Sequence, residues 1–171
     1  MSFDRIERCV LLRAPLPCVG DRAPDAREFG RWFGFVLEGA FAPGATIEGR
    51  FLGTVNEAAI RAFEATVGLT PGELKIPAGQ ITFCTVERIE PETYFSYRWI
   101  PYGIDASIDP ATEPMTLVEF HLRAVPEGTE LTILESGFAD VPAHWRARAF
   151  RMNQRGWEAQ SENLRVYVES R

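Results

Sequence analysis

The sequence lacks the residues on which several classes of protein depend. Its three cysteines, Cys9, Cys18 and Cys84, have spacings that match neither a disulfide framework nor a zinc knuckle. Histidine occurs only as His121 and His144, which is too few for a metal-ligand pattern. We therefore predict no metal and no cofactor, and the scattered cysteines favour a reducing, cytoplasmic location.

Long apolar runs, a basic excess and catalytic signatures are missing as well. No stretch approaches the ~18 uninterrupted apolar residues of a membrane span, and no apolar core of signal-peptide length follows the N-terminus. There are 18 basic and 24 acidic side chains, a formal net charge of −6, whereas nucleic-acid backbones attract basic proteins. Nucleophile-elbow, Walker and dinucleotide-binding motifs are absent. Membrane insertion and nucleic-acid binding are therefore disfavoured.

What is present is the composition of an ordinary globular protein. Of the 171 residues, 46% are hydrophobic and 25% are charged. A chain of this length buries about 70% of its surface on folding, and no repeat or linker divides it. The sequence therefore predicts one domain over residues 1–171.

The N-terminal half mixes strand and helix signals. Arg5–Arg13 is apolar and ends at prolines, which indicates a strand. Asp25 is typical of a helix cap, and the helix behind it would carry Phe29, Trp32 and Phe33 on one face. A further extended segment and a second short helix are expected over the next 35 or so residues.

That second helix lies in a stretch longer than a simple hairpin needs. Thr46–Thr54 indicates an extended segment, after which Asn56 would cap the helix. Gly68 and the turn Thr70–Gly72 would close it. We expect an extra helix within 53–79 that could cover the mouth of a binding pocket.

Strand signals dominate residues 80–138. Apolar and polar residues alternate with a period of two, and short turns separate the segments. Consecutive strands with short turns favour an antiparallel meander. The four predicted strands are Ile81–Ile89, Tyr94–Ile100, Met115–Val125 and Glu130–Phe138.

One long helix closes the sequence. Pro142–Glu169 has no internal proline, and Phe150, Trp157 and Leu164 recur every seven residues. At 1.5 Å per residue such a helix is on the order of 40 Å long. Gly156 lies in its middle, where glycine costs about 1 kcal/mol relative to alanine. We expect this glycine to let the helix backbone approach the sheet closely.

The order of elements predicts an α+β fold in which a curved antiparallel sheet wraps around the C-terminal helix, with two or three short helices. A cylinder laid in a trough leaves a gap, and such a gap suits a small apolar molecule. The excursion over 101–114 could cap that gap or build a homodimer, and both alternatives stay open.

Five segments of the chain carry a family resemblance: Ile6-Glu7-Arg8 with Ala14-Pro15, Glu28–Phe33, Thr85–Pro91, Glu135–Phe138, and Gly156-Trp157-Glu158 through Asn163-Leu164. In this order they resemble the START-like (SRPBCC) superfamily, whose members have the helix-grip fold. The resemblance is strongest to the bacterial proteins similar to the C-terminal domain of the heat-shock-protein-90 ATPase activator. It implies binding of a hydrophobic ligand between the sheet and the last helix. One departure is Gly20, because the family usually has an aromatic residue in that first small helix.

Glu135 is the most interesting candidate for chemistry. It alternates with Leu131 and Ile133, so its side chain should face the same way as theirs. In a pocket, desolvation would raise its pKa and suit it to acid–base catalysis or to anchoring a ligand. The alternatives are that a local twist turns it to solvent or that Arg98 pairs with it.

The other candidates are aromatic and amide side chains on the faces expected to meet. Asn153 and Gln160 interrupt the apolar face of the last helix, and each needs a partner if buried. Both histidines are expected at the surface. The predicted ligand-binding residues are Trp32, Phe95, Tyr97, Trp99, Phe120, Glu135, Asn153 and Trp157.

A basic stripe begins the last helix, with Arg146, Arg148, Arg151 and Arg155 within ten residues. Most such stripes are solvated faces, although an acidic chaperone surface could bind one. Taken with the expected gap between sheet and helix, these features favour a non-catalytic or weakly catalytic protein that binds a small apolar molecule. The alternatives are a cyclase or dehydratase that uses Glu135, with Tyr97 as a second proton-transfer group, and a co-chaperone-like interaction module.

Overall fold

The computed structural model describes residues 4–53, 56–69, 79–101, 109 and 111–171. The predicted Thr70–Gly72 turn and most of the 101–114 excursion lie outside the described residues. The secondary-structure elements, in chain order, are β1 (Arg5–Leu12), α1 (Leu16–Gly20), α2 (Ala26–Phe33), β2 (Phe35–Glu38), β3 (Thr46–Phe51), α3 (Glu57–Thr66), β4 (Ile81–Glu90), β5 (Tyr94–Trp99), β6 (Thr116–Val125), β7 (Gly128–Ser136) and α4 (Ala143–Glu169).

The seven described strands form one curved antiparallel sheet in the order β1-β7-β6-β5-β4-β3-β2. The hairpin β6–β7 pairs without a break from Leu117 opposite Ser136 to Val125 opposite Gly128. Register shifts interrupt the ladders β3–β4 and β4–β5, which bends the sheet locally. With α4 packed against β1 and α2, this is the predicted α+β helix-grip arrangement.

The short helices begin where their caps predict. The Asp25 side chain accepts a hydrogen bond from the Glu28 amide at 2.9 Å, and α2 ends at Gly34 with a left-handed φ of 93°. The Asn56 side chain accepts from the Ala59 amide at 3.0 Å and begins α3. Strand β2 was not predicted from the sequence; it follows α2 directly because Gly34 reverses the chain. Pro142 precedes α4 as its cap and is not part of the first turn.

Helix α4 is tied to the N-terminal part of the chain. The Gln160 side-chain amide donates to the Phe33 carbonyl at 3.0 Å, so this residue holds α2. The Tyr167 hydroxyl of α4 donates to the carboxylate of Glu28, which also lies on α2. The side chain of Glu169 accepts a hydrogen bond from the Arg13 amide at 2.9 Å. The closing helix therefore holds α2 and the end of β1 in place.

Gly20 and Gly156 differ in how closely other atoms approach their backbone. A Cβ built on Gly20 would lie 2.5 Å from the Cα of Glu92, so here the missing side chain permits a close backbone contact. That contact is a physical reason for glycine at this position. Gly156 has no described atom within 4 Å of a built Cβ. The expectation that it brings α4 close to the sheet is wrong.

This contrast leads to paired substitutions with opposite effects. Gly20→Ala should lower the free energy of unfolding by about 1–3 kcal/mol, because its Cβ would overlap the Glu92 backbone. Gly156→Ala should raise it by about 0.5–1 kcal/mol through helix propensity. Urea denaturation followed by circular dichroism measures both. Equal effects of the two substitutions would contradict the packing described for Gly20.

Candidate functional site

Aromatic rings of β5 and β6 line the concave face of the sheet. Phe95, Tyr97 and Phe120 are almost completely buried, and the Phe95 and Tyr97 ring centroids lie 5.6 Å apart. Trp157 of α4 lies against this face, with its centroid 5.9 Å from Phe120 and 5.6 Å from Trp99. Strand alternation places these side chains on one face, as the sequence analysis expected.

Helix α2 adds further rings to the same cluster. Phe29 is fully buried, and its centroid lies 4.5 Å from Trp32 and 6.0 Å from Tyr97. The sequence analysis placed Phe29 on the aromatic face of this helix but did not include it among the ligand-binding residues. Phe83 of β4 was missed altogether, although its place among apolar residues of a predicted strand was a usable signal. All eight predicted residues lie in or beside this cluster, and their role in binding stays a prediction.

Glu135 is at the polar centre of the cluster, with no exposed surface. Its Oε1 accepts hydrogen bonds from Trp99 Nε1 at 2.8 Å, Thr116 Oγ1 at 2.7 Å and Asn153 Nδ2 at 2.9 Å. Its Oε2 accepts from Trp157 Nε1 at 2.7 Å and from Asn153 Nδ2 at 3.1 Å. The carboxylate thus joins three strands to α4. The expected orientation beside Leu131 and Ile133 is correct.

Both alternatives for Glu135 are excluded by its surroundings. It does not face solvent, and Arg98 instead pairs with Glu87 at 2.9 Å on the outer surface. Thr116 was missed as a partner of Glu135, although it precedes Val118 by two positions and so shares its face. The alternation of β6 was the signal that could have revealed it.

Burial raises the pKa of Glu135 above its ordinary value, and the hydrogen bonds from Thr116, Trp99, Trp157 and Asn153 oppose that rise only in part. All five donated hydrogens come from neutral groups, so no cation compensates the buried charge. Oε1 accepts three of these hydrogen bonds and Oε2 accepts two, so both oxygens have protein partners. The space around Glu135 and Trp157 is therefore filled by the protein's own groups.

Two other polar atoms in the cluster are not satisfied. Tyr97 Oη and Trp32 Nε1 are buried, and neither has a hydrogen-bond partner in the described part of the structure. An unpartnered buried donor costs about 1–3 kcal/mol. Burial raises the pKa of Tyr97 well above its ordinary value, and electrostatic interactions with Cys84 and Glu135 raise it further. The Tyr97 hydroxyl therefore keeps its proton and remains a donor.

The basic stripe on α4 is not a uniform solvated face. Arg148 forms an ion pair at 2.6 Å with Glu64 of α3, whose side chain is fully buried. Arg146 donates to the carbonyls of Phe138 and Ala139 at 3.1 and 2.8 Å. Arg155 is 69% exposed and pairs with Glu158 at 3.5 Å, so this residue fits the expectation of a solvated face. The extra helix in 53–79 is thus held to α4 by a buried ion pair.

Histidines and cysteines do not form a reactive cluster in the described residues. His121 is exposed, and its Nε2 lies 3.5 Å from Glu119, while His144 is exposed on the first turn of α4. Burial raises the pKa of the Cys84 thiol to about 12, which makes it a poor nucleophile. Within the same ranges no group of three potential metal-ligating side chains is found.

A family model described as Activator of Hsp90 ATPase homolog 1-like protein matches residues 54–169, which is more than half of the chain. The chain belongs to this family. Membership confirms the resemblance on which the sequence analysis relied and agrees with the helix-grip fold of the START-like superfamily. No curated protein is detectably similar to the chain in sequence.

Solved bacterial structures show the same fold. Protein MLL2253 from Mesorhizobium loti has a TM-score of 0.66 at 19% identity, with 97% of each chain covered. Protein CV1439 from Chromobacterium violaceum has a TM-score of 0.62 at 17% identity, covering 97% of this chain and 98% of the other. The protein encoded by BPP1335 from Bordetella parapertussis has a TM-score of 0.60 at 22% identity, covering 98% and 76%. At these identities the likeness establishes only the fold of this chain.

Among the residues that the structure describes, no helix is both long enough and apolar enough to cross a membrane.

The arrangement around Glu135 leads to a stability prediction. Glu135→Gln should lower the free energy of unfolding by about 1–3 kcal/mol, because an amide has one acceptor oxygen and its NH2 group faces N–H donors. The matched control is Glu87→Gln, where an exposed carboxylate pairs with Arg98 and the change should stay within about 0.5 kcal/mol. Urea denaturation measures both variants. A Glu135→Gln protein as stable as the control would contradict the assigned hydrogen bonds.

Proposed function

We propose that this protein binds a small, largely apolar molecule beside Tyr97 and Trp32, between the curved sheet and the helices that close it. The observation that carries the proposal is the Tyr97 hydroxyl, which is fully buried among aromatic rings and lacks a partner among the described residues. A guest that supplies a polar atom there removes the cost of the unpaired donor. Ligand binding is also a known property of proteins with this fold.

The guest is placed away from Glu135. Trp157 is only 2% exposed and packs against Phe33, Trp99 and Phe120, so protein atoms already occupy that end of the cluster. In this proposal Glu135, Asn153 and Trp157 support the aromatic wall, and they do not contact the guest. Trp32, Phe95, Tyr97 and Phe120 remain the proposed contact residues.

The same geometry favours binding over proton transfer by Glu135. A general acid or base needs an oxygen within hydrogen-bond reach of the reacting group. Both Glu135 oxygens are already engaged with Trp99, Thr116, Asn153 and Trp157. A cyclase or dehydratase that uses this carboxylate would first have to break several of these bonds.

Binding can be tested with N-phenylnaphthylamine, an uncharged dye that fluoresces in apolar surroundings. We expect saturable enhancement with the purified protein, and weaker binding by Trp32→Leu, because this change removes an aromatic wall. Trp145→Leu is the matched control, since Trp145 lies near the start of α4 against His144 and Arg148. Fluorescence titration gives both dissociation constants. No enhancement, together with native mass spectra that show only the unliganded protein, would overturn the proposal.

A second function is favoured by the family description, which names an activator of an ATPase chaperone. In this alternative an exposed surface of the protein stimulates ATP hydrolysis by a bacterial Hsp90. Arg155→Glu should reduce that stimulation if the start of α4 is the contact surface, because Arg155 is 69% exposed. Arg148 is unsuitable for this test because its change would break the buried pair with Glu64. A coupled ATPase assay measures the effect, and an unstimulated chaperone would exclude the alternative.

The remaining predictions concern the setting of this function. A single domain over 1–171 and a cytoplasmic location remain predictions, the latter based on cysteine usage. All three cysteines are unpaired in the structure. A homodimer built by the 101–114 excursion also remains a prediction, because most of that segment lies outside the described residues.

A further inference from the structure

The aromatic cluster divides its buried donors into two groups. The indoles of Trp99 and Trp157 donate to Glu135 at 2.8 and 2.7 Å. The indole of Trp32 and the hydroxyl of Tyr97 have no partner among the described residues. Both of these side chains pack against the same two rings, since Phe29 and Phe120 each lie within 6.4 Å, centroid to centroid, of Trp32 and of Tyr97. The unpaired donors therefore belong to one neighbourhood.

We infer that the guest is an uncharged aromatic or alicyclic molecule with a carbonyl-type acceptor oxygen that pairs with Trp32 Nε1 and Tyr97 Oη. This inference rests on the proposed binding function and names the class of ligand for that site. An indole N–H can only donate, so the complementary group on the guest must accept. A carbonyl oxygen has two lone pairs and accepts from two donors at once.

The buried carboxylate of Glu135 disfavours an anionic guest. Glu135 is fully buried and its hydrogen-bond donors are all neutral, whereas Glu64 is already paired with Arg148. Trp99 donates to Glu135 at 2.8 Å and its ring centroid lies 5.6 Å from that of Tyr97, so the carboxylate is near the proposed guest. An anion would lose its hydration and meet this negative charge without a cation to compensate it. A quaternary ammonium group would suit the rings but cannot accept the Trp32 proton.

The experiment compares three probes of similar size that differ in one group. Indanone has the acceptor, indane lacks it, and indanecarboxylate has a charge. Equilibrium dialysis against the wild-type protein should give indanone an affinity at least about tenfold above that of indane, because two buried donors become paired. Indanecarboxylate should bind more weakly than indane. A direct readout is the indole N–H signal of Trp32 in nitrogen-15 spectra, which should shift downfield with indanone.

Two variants and one control assign the preference to the named atoms. Tyr97→Phe and Trp32→Phe each remove one unpaired donor, and each should reduce the ratio of indanone affinity to indane affinity about threefold or more. Tyr94→Phe is the control, because the Tyr94 hydroxyl already donates to Glu119 at 2.8 Å. The indole signals of Trp99 and Trp157 should stay in place, since Glu135 holds them. If Trp32→Phe does not fold, Tyr97→Phe alone decides whether the indanone preference depends on an unpaired donor.

The outcomes separate this inference from the binding function. Equal binding of indane and indanone, or a preference that survives Tyr97→Phe, overturns the acceptor class while the binding function stands. Tighter binding of indanecarboxylate overturns the uncharged class in the same way. If N-phenylnaphthylamine binds but neither indane nor indanone does, the inference is also wrong. Failure of all the probes, the dye included, instead removes the proposed function itself.

Discussion

The buried carboxylate of Glu135 is the constraint on which the interior of this protein depends. It draws a donor from β5, a donor from β6 and two side chains of α4 onto β7, so four elements meet at two oxygen atoms. A buried charge is tolerated only when its hydrogen bonds are complete, and here neutral N–H and O–H groups complete them. This arrangement fixes the planes of two indoles and leaves them closely packed. For this reason the proposed guest position lies elsewhere, beside Trp32 and Tyr97, whose donors have no partner among the described residues.

The fold was largely predictable from the sequence because its signals are local. Alternation along β6 and β7, the caps at Asp25 and Asn56, and the heptad spacing of Phe150, Trp157 and Leu164 each indicate one element and one buried face. The elements that were missed depend on contacts between distant residues. Strand β2 has four residues and exists because β3 pairs with it. The close approach at Gly20 requires the backbone of Glu92, which lies more than seventy positions away.

The sequence was sufficient to predict which residues form the candidate site. It was less informative about which of them are hydrogen-bonded to one another. Alternation placed Glu135 and the aromatic side chains on one face, and the long helix placed Asn153 and Trp157 opposite them. Which indole donates to the carboxylate and which stays unpaired depends on sheet curvature and on side-chain rotamers. Neither quantity is encoded in a window of neighbouring residues. The same holds for Arg148, whose partner Glu64 belongs to a helix distant in sequence, so the basic stripe resembled a surface until the fold was known.

The contacts of α4 with α2 and with the end of β1 also have a consequence for biosynthesis. The amide of Arg13 pairs with the side chain of Glu169, and Gln160 holds the carbonyl of Phe33, so partners separated by 156 and 127 residues must find each other. Structures dominated by such distant pairings fold slowly, because loop closure precedes any stabilising contact. As the chain leaves the ribosome, the aromatic face of β4, β5 and β6 has to wait for the last helix before it is covered. Until then that surface is available to molecular chaperones and to other nascent chains.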